Sequence, residues 1–145
     1  MYKRILLAYD GSESGQKALL DCRDIAQWSQ AALTLIAVTP LYLDLIGVEG
    51  GVYDRTLAEH EKEKYTGILG EGLRQLADSG YQAQGEVLVG ETVDEISKFA
   101  RKMDADLIVV GHKHLEGWAA RWWRGSVSKS LIENAPCNVL VVITH

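Results

Sequence analysis

Cysteine is nearly missing: Cys22 and Cys137 are the only two in 145 residues. Two thiols cannot form a disulfide framework. Each sits in an apolar stretch, which marks both as small core residues of a reducing compartment. No apolar run has the length a bilayer span requires, and the N-terminus meets a strand-like segment almost at once, with no charged leader or cleavage site. The expectations are no signal peptide, no membrane association and a cytoplasmic location. A basic face is missing too. With 15 Lys and Arg against 20 Asp and Glu, the formal charge is −5, which argues against a nucleic-acid surface. No internal repeat and no low-complexity linker divides the chain, so residues 1–145 read as one domain large enough to bury a core.

What is present is an alternation of short apolar runs and helical patterns. Ile5-Leu6-Leu7-Ala8-Tyr9 reads as a strand buried on both faces, broken by Asp10-Gly11-Ser12. Ser12 or Ser14 then caps a helix whose inward stripe is Ala18, Leu19, Cys22, Ile25 and Ala26. Leu33 to Val38 is a second strand, ended before Pro40. Leu41 to Gly51 has no clean period and reads as a mobile loop; a long helix follows from about Tyr53 to Ser79, stopped by Gly80. Gln84 to Val89 is a third strand. Thr92 and Glu95 form a capping-box pattern for the next helix, whose buried face is Val93, Ile96, Phe99 and Ala100. Leu107 to Val110 and Val139 to Ile143 are strands four and five, separated by a helix from about Ser126 to Asn134. Apolar strands alternating with helices predict a doubly wound α/β sandwich of three layers with a five-stranded parallel sheet, and the order expected for it is 3-2-1-4-5.

Between strand four and its helix the chain runs Gly111, a loop with His112, Lys113, His114, Trp118, Arg121, Trp122, Trp123 and Arg124, then Gly125-Ser126-Val127-Ser128. Strand, glycine, basic loop, glycine-serine, helix is how an α/β protein builds a phosphate pocket, because N–H groups at a helix start and the helix dipole attract an anion. In the order 3-2-1-4-5 the ligand crevice lies where strands one and four diverge. Asp10 and the 111–128 loop should therefore face one another. Lys113, Arg121 and Arg124 add charge suited to phosphate.

Other chemistries lack their motifs. No segment supplies the glycine, four residues, Gly-Lys-Ser or Gly-Lys-Thr of a phosphate-loop NTPase, and none supplies Gly-x-Ser-x-Gly. Strand three ends in Val89-Gly90, without the aspartate of a phospho-accepting domain. His60-Glu61 lacks the second histidine of a zinc protease, and His112 with His114 lacks further ligands, so no metal site is expected.

The opening Tyr2 to Ser12, the Asp104 to Gly111 approach, Gly125-Ser126-Val127-Ser128 and the ending Asn134 to Val142 together resemble the universal stress protein family across the whole chain. The resemblance implies the same α/β sandwich, usually as a homodimer. It implies a stress-response protein that binds ATP, with magnesium, and has at most weak ATP hydrolysis; a second branch of the family binds no nucleotide. By resemblance, Asp10 contacts the adenosine part, Val38 lies near the base, and Gly111, Gly125, Ser126 and Val127 hold the phosphates. The family's loop runs glycine, two residues, glycine, nine residues, glycine, then serine or threonine. Here His114 replaces the second glycine and the spacer to Gly125 has ten residues. A Cβ at that position blocks the close approach that glycine allows. Two readings follow, a nucleotide-binding module and a nucleotide-free interaction protein whose altered loop, with Trp118 to Trp123, meets a protein partner. Strand five, wholly apolar at a sheet edge, points to pairing of two copies through residues 139–143.

Overall fold

The computed structural model describes residues 1–40, 55–113 and 127–145. The elements are β1 (Arg4–Ala8), α1 (Glu13–Ser29), β2 (Ala32–Pro40), α2 (Arg55–Asp78), β3 (Gln84–Gly90), α3 (Thr92–Lys102), β4 (Leu107–Lys113), α4 (Val127–Asn134) and β5 (Asn138–Thr144). The five strands form one all-parallel sheet in the order β3-β2-β1-β4-β5, as expected. The loop expected over Leu41–Gly51, the helix start at Tyr53 and the basic loop from His114 to Ser126 lie outside the described residues.

Strand alternation divides the core. Ile5, Leu7, Leu33, Leu35, Leu107 and Val109 face one way and pack on α1 and α2. Leu6, Ile36, Ile108 and Val110 face the other way, against Ile96, Ala100 and Leu131 of α3 and α4. The central strands bury nearly every side chain because helices cover both faces. The predicted stripe of α1 is the buried one: Ala18, Leu19, Cys22 and Ala26 are fully covered, with Ile25 packed at the margin.

Three differences from the sequence reading bear on the site. β4 does not stop at Gly111 but continues through His112 and Lys113, which pair with Ile143 and Thr144 of β5. β2 includes Pro40, opposite Gly90. Proline lacks the N–H of an inner strand, but β1 has already ended there, so no second neighbour requires it. The third difference is the cap of α3, which is Glu91 and not Thr92. Its carboxylate accepts from the N–H of Val93 at 3.2 Å and of Asp94 at 2.7 Å. Two charged acceptor oxygens at a helix N-terminus outcompete one hydroxyl. Glu95, the expected box partner, instead lies over Gly90, where a Cβ would stand 2.7 Å from its Cγ.

A cleft at the short central strand

Unequal strand lengths make the candidate site. β1 ends at Ala8, which is paired with Ile36 on one side and Val110 on the other. Its neighbours run on, β2 to Pro40 and β4 to Lys113, each still paired on its outer side. A notch opens between them. Its floor is Ala8 and Tyr9, and its walls include Val38, Pro40 and Gly111 to Lys113. Inner-edge backbone groups of those walls have lost the strand that would have paired them, so they are available to a ligand. The cleft has a volume of ≈ 530 Å³, within the ~300–1,000 Å³ typical of small-molecule sites.

The lining separates by chemistry. Ile36, Val38, Ile96 and Val110 supply an apolar side. Asp10, Ser12, Ser14, Thr92, His112, Lys113 and Ser128 supply polar groups. Asp10 is exposed at the exit of β1, and its Oδ1 accepts from the Ser12 N–H at 3.0 Å and the Ser12 hydroxyl at 2.6 Å. Ser12 also caps α1, its hydroxyl accepting from Gly15 N–H at 3.0 Å. This chain of bonds fixes the carboxylate at the cleft mouth and leaves Oδ2 without a partner among the described residues. Beneath it, Tyr9 is 3% exposed. Burial, then the nearby Asp10 and Glu71 carboxylates, hold its phenol above the ordinary range, so it stays a neutral hydroxyl.

Gly111 has a role that motif reading did not assign. A Cβ there would lie 2.4 Å from the carbonyl carbon and oxygen of Ser14 and 2.7 Å from the nitrogen of Gly15. The first turn of α1 rests directly on β4, and only glycine permits that approach. Gly15 is constrained in the same way, since its Cβ would stand 2.5 Å from Asp10 Oδ1. Thus two glycines and a carboxylate lock the start of α1 into the cleft rim.

Of the residues expected at the site, Asp10, Val38, Gly111, Lys113 and Val127 all line this cleft. Gly125, Ser126, Arg121 and Arg124 lie outside the described residues, as do His114 and the Trp118–Trp123 segment. His112 and Ser128, within the 111–128 segment expected to face Asp10, line it too, and so do Tyr65 and Thr92, which were not expected there. Thr92 was detectable as the first residue of a helix that follows a parallel strand, on the side of the sheet where such folds bind ligands. Tyr65 was not, because the pattern of α2 shows only that it faces inward.

A family model for the universal stress protein family matches residues 1–142. The chain belongs to the universal stress protein family. It is 29% identical over 151 residues to a universal stress protein of Synechocystis, Sll1388, covering 97% of each chain. It is 30% identical over 149 residues to YxiE of Bacillus subtilis, covering 98% of this chain and 99% of that one. Among solved universal stress protein structures, UspA of Lactobacillus plantarum superposes with a TM-score of 0.76 at 25% identity, over 97% of both chains. A universal stress protein in complex with cAMP gives 0.72 at 24%, over 99% of this chain and 98% of that one. One from Archaeoglobus fulgidus in complex with dAMP gives 0.65 at 19%, over 98% of both.

Proposed function

We propose that this universal stress protein is an adenine-nucleotide-binding module of a stress response, taking ATP with magnesium and acting through ligand-dependent dimer or partner contacts, not through catalysis. The observation that carries the reading is the notch beyond β1, one opening lined by apolar Val38 and by Asp10 and Lys113. The adenine packs on the apolar wall beside Val38. Asp10 Oδ2 accepts hydrogen bonds from the ribose hydroxyls. Lys113 meets phosphate, with Val127 at the start of α4. Arg121, Arg124, Gly125 and Ser126 join the phosphate side on the strength of the sequence pattern. Two proteins of this fold hold cAMP and dAMP, which favours the adenine class of ligand.

Titration calorimetry with ATP and magnesium tests this. Saturable heat is expected, with a micromolar to submillimolar dissociation constant. Asp10→Asn, which keeps an acceptor at Oδ1 for the Ser12 turn, is expected to weaken binding about tenfold, since one charged hydrogen bond contributes ~1.5–3 kcal/mol. No heat at millimolar ATP would overturn the proposal. The nucleotide-free interaction protein is then the reading that remains.

A further inference from the structure

His112 is the last residue of β4 whose backbone points into the notch. The N–H of Asp106 donates to the Arg4 carbonyl at 3.0 Å, so the even-numbered residues of β4 turn their backbone groups toward β1. β1 ends opposite Val110. The N–H and C=O of His112 therefore face the space where β1 has stopped. Side chains alternate as well. Leu107 and Val109 pack on the α1 face, and Lys113 continues their row. Ile108 and Val110 face α3 and α4, and His112 continues theirs. The half-buried imidazole thus lines the cleft on the face where Val127 and Ser128 open α4. It makes no ion pair with a described residue.

We propose that His112 is a phosphate-binding residue of the cleft and makes nucleotide binding tighten as pH falls. The inference rests on the adenine-nucleotide reading above and adds a response to acid at the same site. The backbone N–H of His112 and, once protonated, its imidazolium give a phosphate two donors, the second one charged. An imidazole is the side chain whose ordinary ionisation falls between pH 5 and 8. Around it at this end of the sheet lie Tyr9, Asp10 and Glu13 from β1 and the start of α1, Tyr65 of α2, Glu91, Asp94 and Glu95 at the start of α3, Lys113, Lys129 of α4 and His145 beyond β5. Carboxylates, phenols, lysines and arginines ordinarily hold one charge state across about pH 5.5–8.5. They set the affinity and not its slope.

The test is calorimetric titration of the full chain with magnesium-ATP and with adenosine at pH 5.5, 7.0 and 8.5. It is repeated on His112→Gln, with His114→Gln and His145→Gln as controls. Comparing chains at one pH cancels the ionisation of the phosphate itself. The natural chain is expected to bind magnesium-ATP about tenfold more tightly than His112→Gln at pH 5.5 and within about twofold at pH 8.5. Adenosine should bind both equally, and the control variants should match the natural chain. Titrations of the natural chain in buffers of different ionisation enthalpy need no variant, and at pH 7.0 they should show proton uptake on binding magnesium-ATP. A ratio that stays constant with pH, a control that loses the response in place of His112→Gln, adenosine weakened as much as magnesium-ATP, or binding without proton uptake would each overturn the role of His112. Those results leave the adenine-nucleotide reading intact. No binding of either ligand by the natural chain at millimolar concentration would overturn both.

Discussion

Gly111 and Gly67 are both glycines inside regular elements, and their surroundings demand opposite outcomes from the same substitution. At Gly111 a methyl group meets helix backbone at 2.4 Å, so α1 or β4 must move. Gly111→Ala is expected to cost about 2–3 kcal/mol, read as a lower urea midpoint. At Gly67, exposed on α2, a Cβ meets nothing within 4 Å. Gly67→Ala should raise stability by roughly 0.5–1 kcal/mol by restricting the unfolded chain. Buried Cys22 supplies a pH test. Burial, with Asp21 nearby, pushes its thiol from an ordinary 9.0 up to about 12. The folded state thus holds its proton after the unfolded state has released it. Stability is unaffected well below pH 9 and falls between pH 9 and 12, by about 1.4 kcal/mol at pH 10. Urea titrations at pH 8 and pH 10 should show a smaller drop in Cys22→Ala than in the natural chain. An equal drop in both would show that Cys22 is not its source.

Among the elements, α3 shows how a strand exit chooses its own cap. Gly90 at φ +154° turns the chain so that the Glu91 carboxylate, one residue before the expected cap, accepts from the N–H groups of Val93 and Asp94 ahead of it. Glu91→Ala is expected to cost about 1 kcal/mol, within the ~0.5–2 kcal/mol of a lost N-cap. Thr92→Ala should stay within ~0.5 kcal/mol. Thermal or urea unfolding of the pair decides the assignment, and a reversed order would restore Thr92 as the cap. β4 makes a related point. Its continuation through Lys113 raises one wall of the cleft, with its outer edge held against β5 as far as Thr144.

Considered as a whole, the molecule has two sheet edges of different character. β3 presents Gln84 and Glu86, polar residues that discourage further pairing. β5 presents Val139 to Ile143 with no lysine or proline to guard it, and Ile143 is 48% exposed. We propose that two copies associate through this edge about a two-fold axis. Light scattering at micromolar concentration is expected to give twice the 16.0 kDa chain mass. Ile143→Lys should return it to the monomer, since an edge lysine opposes strand pairing. A natural chain that scatters as 16.0 kDa would refute the dimer.

The sequence by itself determined the fold class and several of the residues that meet beyond β1, because these follow from patterns repeated along the chain. Leu6 and Leu7 alternate between two cores, and Ala18, Cys22 and Ala26 recur at helical spacing. Asp10 and Gly111 each follow an apolar run. Such signals are local, and each residue carries its own. What only the tertiary structure decided depends on neighbours distant in sequence. β4 reaches Lys113 because β5 offers paired partners as far as Thr144, and β1 stops early because its chain turns at Asp10 into α1. The resulting notch exists in no single segment. Gly111 likewise matches a ligand-loop pattern, yet contact between the first turn of α1 and β4, about 95 residues apart, is what excludes any larger side chain there.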